Sequence, residues 1–159
     1  MASELGVQTI QHTNGTDAMT IDSSGRILQP TKPAFTAHRT SNQNSGIIIF
    51  DTALVNQGSH YNTSNGKFTA PIAGLYHFSF QALSDNDGTD AYYSVSLYIN
   101  GSSYAVEQSY TYEDNDSTAG GSIVASLSAN DYVQVHSSKK VYGYAATFNC
   151  TYFSGFLIG

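Results

Sequence analysis

The sequence predicts an all-β fold, and three observations carry that prediction. Aromatic residues are plentiful, with 12 Tyr and 8 Phe among 159 residues, and 14 Gly are available for turns. Aromatic side chains suit the pleated, half-buried surface of a strand. Apolar residues recur at every second position over several stretches, the period of a strand with one buried face. No segment sustains the 3.6-residue period of an amphipathic helix. A mass of 17.1 kDa corresponds to one domain with at most a short extra arm.

The elements follow in order. Over residues 1–33, Val7-Gln8-Thr9-Ile10 and Ala18-Met19-Thr20-Ile21 read as short strands around the turn dipeptide Asn14-Gly15. Ser23-Ser24-Gly25 marks a second turn before Arg26-Ile27-Leu28, and Pro30 and Pro33 bracket a connector of restricted freedom. The apolar residues here are too few for a core of their own, since an isolated hairpin is marginal in water. Two readings stand: a frayed terminus, or an arm that orders against sister chains or a larger scaffold.

Residues 34–159 read as a run of strands and turns. In Gly74–Ala82 the residues Tyr76, Phe78, Phe80 and Ala82 share one face and His77 the other. Tyr93, Val95, Leu97 and Ile99 repeat the alternation up to the hairpin signal Asn100-Gly101. Ile123, Ala125 and Leu127 form a further face, and Asn130-Asp131 turns the chain into Tyr132–Val135. From Thr151 to Ile158 apolar or aromatic residues occupy both faces, which marks a strand covered on both sides. With one core available, the second face points to another subunit. Physics alone therefore gives a β-sandwich or jelly roll that can oligomerise.

Composition also excludes function classes. Only 11% of residues are charged, against roughly 25% in an average soluble protein. The aromatic content argues against a disordered acidic chain. The formal net charge of −6 would be repelled by a phosphate backbone, so no nucleic-acid partner is expected. The longest apolar run, Ile47–Phe50, is far short of a membrane span, so no membrane insertion is expected. The opening residues lack a basic segment followed by an apolar stretch, so signal-peptide secretion is not expected. The single cysteine, Cys150, forms no intrachain disulfide and reads as a small buried hydrophobe.

Phe50, Asn56, Tyr61, Phe68, Gly74, Tyr76, Phe78 and Phe80 stand at characteristic separations, followed by Asp131-Tyr132-Val133 and the ending Phe153-Ser154-Gly155-Phe156-Leu157. In these positions the chain resembles the globular head of complement component C1q and its relatives, over roughly residues 34–159. The resemblance implies a ten-stranded jelly roll that forms a tight homotrimer, an architecture shared with tumour necrosis factor. The residues themselves read as scaffold: large inward aromatics, with Gly74 allowing a bend into the strand and Pro71 placed just before it. The chain has no collagen repeat of the kind that trimerises the animal proteins. Its segment Val7–Thr16 and Ala18–Arg26 is similar instead to opening segments of structural proteins of tailed bacteriophages. A complement-like head on a phage-like arm implies a virion protein.

No complete catalytic constellation is present: no Gly-x-Ser-x-Gly, His-Glu-x-x-His, phosphate-binding loop or dinucleotide fingerprint. His12, His38, His60, His77 and His136 lack short metal-ligand spacing. No enzyme activity, cofactor or metal is therefore expected. The loop Asp85-Asn86-Asp87-Gly88-Thr89-Asp90 has the oxygen density of a calcium site, but it fails the EF-hand spacing and reads equally as a solvated turn. Some C1q-like trimers bind calcium near the trimer axis, so the resemblance leaves that reading open.

The expected role is a homotrimeric capsid decoration protein. Its arm, through Leu5, Val7, Ile10, Met19, Ile21 and Ile27, would contact the major capsid protein or another virion protein. The alternative is a tail-fibre or spike tip that binds a host surface glycan or protein through tyrosine-rich loops bearing Tyr92, Tyr104, Tyr110 and Tyr112. A third is a C1q-like lectin outside any virus. The same tyrosines also read as core or interface residues, with Tyr93 and Tyr104 pointing inward.

Overall fold

A computed structural model describes residues 6–85, 91–111, 115–143 and 150–159. The chain divides into two compact units, Met1–Lys32 and Pro33–Gly159. In the first, β1 (Thr9–Gln11), β2 (Asp17–Ile21) and β3 (Ile27–Leu28) form an antiparallel three-stranded sheet in the order β1-β2-β3. Polar groups hold its turns. The His12 N–H donates to the Thr16 carbonyl at 2.9 Å, and Asn14 Oδ1 accepts the Thr16 amide at 3.0 Å. Asp22 Oδ1 accepts the amides of Ser24 at 2.8 Å and Arg26 at 3.0 Å. Its other oxygen takes Arg26 Nε at 2.7 Å. These amide and guanidinium contacts hold the Asp22 carboxyl below the usual carboxylate range, the Arg26 amide contributing most.

The second unit contains β4 (Ala34–His38), β5 (Gly46–Ile47), β6 (Thr52–Gln57), β7 (Tyr61–Asn62), β8 (Lys67–Thr69), β9 (Gly74–Leu83), β10 (Ala91–Ile99), β11 (Ser102–Thr111), β12 (Thr118–Leu127), β13 (Tyr132–Ser137) and β14 (Tyr152–Leu157). They form a six-stranded sheet, β11-β10-β13-β8-β7 with β5 beside β13, and a five-stranded sheet, β12-β9-β14-β4-β6. Every pairing is antiparallel. Among the described residues there is no helix. The strands from β4 onward are more finely divided than the ten of the resemblance, because β5 and β7 are two-residue pairings.

The core lies between the sheets. β9 contributes Tyr76, Phe78, Phe80 and Ala82, and β10 contributes Tyr93, Val95 and Leu97. Val133, Val135 and Phe153 complete it from β13 and β14. Phe35 stacks on Tyr61 at 4.8 Å between ring centres and meets the edge of Phe153 at 4.8 Å. The β10–β11 hairpin turns at Asn100-Gly101, with φ of 51° and 80°, the left-handed pair that a two-residue turn of this hand requires.

Three expectations change. Tyr104 is exposed rather than inward, because the register of β10 on β11 shifts between Leu97 and Tyr98 and leaves it at a bulge. Cys150 is half-buried two residues before the last strand, its carbonyl accepting Gln81 Nε2 at 3.2 Å. Gly74 acts through close approach: a methyl there would stand 2.9 Å from Leu157 Cδ1 and 3.0 Å from the Gly159 carbonyl oxygen.

Candidate interaction surfaces

In the first unit, register decides which apolar residues share a face. Ile10 pairs with Met19, and Ile21 with Ile27. Strand parity therefore places Ile10, Met19, Ile21 and Ile27 together, with Thr9, Thr20 and Leu28 on the reverse. No residue from Gly6 to Lys32 is buried, and Ile27 is 63% exposed. Among the described residues, this sheet has an apolar face and no fully buried side chain. Val7 precedes β1 and is half-buried, while Leu5 lies outside the described residues.

The second surface is the outer face of the five-stranded sheet. One cross-strand row runs Val124, His77, Phe156, Ala34 and Gln57 over β12, β9, β14, β4 and β6. The next runs Ser122, Ser79, Ser154, Thr36 and Val55. Leu75 and Ile158 extend the apolar end, joined by a 2.7 Å hydrogen bond from the Ile158 N–H to the Leu75 carbonyl. Leu75, Val124, Phe156 and Ile158 are each exposed, and the His77 and Phe156 rings stand 5.2 Å apart. The apolar residues on both faces of β14 are the sequence signal for this surface: Phe153 and Leu157 point inward, Phe156 and Ile158 outward.

The third surface carries the tyrosines. The sequence expectation placed them in loops; Tyr92, Tyr104 and Tyr110 instead stand on β10 and β11, which remain paired from Ala91↔Thr111 to Ile99↔Ser102. Tyr92 lies opposite Tyr110 and meets it edge to face at 5.1 Å. Tyr112 lies outside the described residues, as does all of the acidic loop except Asp85.

The eight signature residues serve the scaffold. Phe50, Phe68, Tyr76, Phe78 and Phe80 are buried, as is Tyr61. Asn56 staples the turn after β6: its Nδ2 donates to the Tyr61 carbonyl at 2.9 Å and its Oδ1 accepts the Tyr61 amide at 3.1 Å. The Tyr61 hydroxyl then donates to the Phe50 carbonyl at 3.2 Å. Burial pushes the Tyr61 phenol well above its ordinary value. Asp51 accepts the Thr40 amide at 3.0 Å and pairs with Arg39 at 3.1 Å, tying the ends of β4 and β6 together.

Among the described residues, no group of three or more His, Cys, Asp or Glu is arranged to hold a metal ion. Asp85 pairs with Lys140 Nζ at 2.5 Å and accepts Asn42 Nδ2 at 2.9 Å. The Lys140 hydrogen bond is the main reason its carboxyl is held below the usual range.

With this geometry in place, the chain can be set beside known proteins. The C1q domain family matches residues 34–158. Human complement C1q tumor necrosis factor-related protein 3 is 34% identical over 106 residues, covering 67% of this chain and 42% of the relative. Mouse complement C1q tumor necrosis factor-related protein 2 is 31% identical over 114 residues, covering 70% of this chain and 37% of the relative. The chain thus spans less than half the length of these curated relatives. Among solved structures, the globular domain of zebrafish complement 1qA protein superposes with a TM-score of 0.62 at 22% identity, covering 80% of this chain and 98% of that one. Eiger TNF from S. frugiperda does so with a TM-score of 0.65 at 9% identity, covering 81% and 94%. At those identities the likeness is one of fold: an all-β jelly roll.

Proposed function

This chain belongs to the C1q domain family, and on that premise we propose that it is a non-enzymatic virion protein, a homotrimer that decorates a capsid through its N-terminal unit. The observation that carries the reading is the small sheet of residues 6–32, which offers Ile10, Met19, Ile21 and Ile27 on one face and buries nothing of its own. An exposed apolar face of this kind marks a surface for another protein to cover. The resemblance of Val7–Thr16 and Ala18–Arg26 to tailed-phage structural proteins favours a capsid subunit as that cover.

The outer face of the five-stranded sheet supports self-association. Its apolar end, Leu75, Val124, Phe156 and Ile158, is a patch that water would otherwise wet. Pro33, where the second unit begins, accepts the Leu157 N–H at 3.0 Å, beside the central strand of that face. Three chains joined there would bring the starts of three second units, and so three tethers, into one neighbourhood. Three weak contacts then act together, each raising the local concentration of the next. The mechanism is mechanical: added buried area where internal pressure pulls capsid subunits apart.

Two measurements test this. Sedimentation of the full chain should give a trimer, and Phe156→Arg should shift it toward monomer by placing a charge in the shared face. A monomeric parent chain would end the trimer reading. Gold-labelled antibody on particles from the source lysate should decorate the head, and deletion of residues 1–32 should abolish rebinding to stripped capsids. Label confined to the tail would assign the chain to host recognition, and rebinding by the truncated chain would refute a role for the arm.

A further inference from the structure

We infer that the outer face of the six-stranded sheet binds uncharged saccharide chains, with Tyr92 and Tyr110 as the principal platform. Parity along β10 sends Tyr93, Val95 and Leu97 into the core and gives Tyr92, Ser94, Ser96 and Tyr98 the outer parity, where Tyr92 is exposed, Ser94 and Tyr98 are half-buried and Ser96 is covered by its neighbours. On one side of this row the register places Tyr110 opposite Tyr92, Gln108 opposite Ser94 and Val106 opposite Ser96. On the other side it places His136 against Ser96 and Gln134 against Tyr98. Tyr92 is 70% exposed and perpendicular to Tyr110. At the far end Tyr98 lies against His136, ring centres 5.3 Å apart.

The charge pattern narrows the ligand class. Among the described residues of β10, β11 and β13 no carboxylate takes the outward parity: the acidic residue of β11, Glu107, pairs with Val95 and so takes the inward one, its side chain beside Gly121. Lys67 on the neighbouring β8 lies over the Tyr132 ring, 3.7 Å from its centre. Among the described residues, a chain of net charge −6 thus presents one face with almost no fixed charge. A polyanion would find no cation cluster there and would meet a repulsive overall field. The apolar content is also too thin for a protein docking core, since Val106 is the lone exposed aliphatic of these described positions among rings, hydroxyls and amides.

A neutral sugar fits both halves of this chemistry. The C–H face of a pyranose presents weakly positive hydrogens to the negative face of an aromatic ring. Its hydroxyls need donors and acceptors of the kind that Ser94 and Gln108, neither of them buried, carry. Tyr92 and Tyr98 are six residues apart on β10, a span of about 20 Å at the strand rise. One sugar cannot bridge them, so the face selects a chain of several rings. This surface lies on the opposite sheet from Phe156 and Leu75. If the self-association reading above holds, each trimer displays three copies, and weak single sites become effective together.

The test uses the full chain on a printed array of uncharged bacterial polysaccharides, with sulfated and uronate-bearing chains alongside. Expected is binding to at least one uncharged polymer that changes little from 50 to 500 mM salt and strengthens with oligosaccharide length. Tyr92→Ser and Tyr110→Ser, both at exposed positions, should each weaken it about tenfold or more while circular dichroism and sedimentation stay those of the parent. Binding only to the anionic chains, binding unmoved by both substitutions, or no binding to any uncharged chain would each overturn the proposal. These outcomes are independent of where the protein sits on a particle, so the decoration reading can fail without deciding this one.

Discussion

Replacing Tyr93 by Phe should stabilise the protein, although Tyr93 is among the largest fully buried side chains of the core. Its hydroxyl is buried with no hydrogen-bond partner among the described residues. Ser137 lies beside it without reaching hydrogen-bond geometry, its Oγ donating to the Lys139 carbonyl at 2.7 Å and accepting the Lys139 amide at 3.3 Å. A buried hydroxyl left unpaired costs about 1–3 kcal/mol, and its removal gives up only a few dispersion contacts. The expected net gain is about 1 kcal/mol at pH 7, or roughly 3 °C in Tm for a chain of this length. Alkali supplies a second reading of the same group. Burial raises the Tyr93 phenol from 10 to about 12, so the native chain holds this proton more tightly than the unfolded one. The stability linked to it is intact below pH 10 and is lost as pH climbs toward 12. At pH 11 the parent should therefore lose roughly 1 kcal/mol that Tyr93→Phe keeps. Urea unfolding followed by circular dichroism, at one fixed protein concentration and at pH 7 and 11, measures both. A variant destabilised by about 1 kcal/mol at pH 7, with no widening of the difference at pH 11, would show that the hydroxyl is bonded and refute the reasoning.

Three further outcomes are expected. Gly155→Ala would place a methyl 2.5 Å from Phe78 Cδ1 and 2.9 Å from Phe35 Cε1; overpacking of this kind costs about 1–3 kcal/mol, read as a lower urea midpoint with an unchanged slope. Asn56→Ala removes both hydrogen bonds to the Tyr61 backbone and should cost about 1–3 kcal/mol in the same assay, because Tyr61 is buried. The Asp85 carboxyl is depressed chiefly by Lys140, so its contribution is present above the ordinary carboxylate value and is lost as pH falls below it. The stability difference between the parent and Asp85→Asn, measured from pH 7 down to pH 3, should therefore shrink toward zero at the acid end.

Much of the sandwich was legible because period-two alternation survives wherever a strand has one wet face. β9 and β10 read directly, and Asn100-Gly101 announced its own hairpin. What the sequence concealed depends on neighbours far along the chain. In the run Ile47–Phe50 only Ile48 and Phe50 are fully buried, because Ile47 faces outward with His136 across β5 and β13. Leu54 and Val55 are exposed at a register shift against β4 that no local pattern marks. The candidate arm residues were identifiable as apolar, but their common face rests on the pairings Ile10↔Met19 and Ile21↔Ile27, and a one-residue slip would have scattered them. The tyrosine surface was legible in composition only. Register, not residue type, joins Tyr92 to Tyr110 across the hairpin.

The central position of β14 has a consequence for how the protein is made. β14 sits between β9 and β4, pairing Phe156 with both His77 and Ala34, so the first and last strands of the second unit are neighbours. Synthesis is vectorial, and until β14 leaves the ribosome the nascent chain holds two half-sheets, each with an open hydrogen-bonding edge. Such edges invite pairing with a neighbouring nascent chain. The closing strand must also search the full breadth of the unit for its slot, which makes this a topology of slow completion. Crowded synthesis, in which many copies emerge at once, is thus the condition under which misassembly of this protein would first be seen.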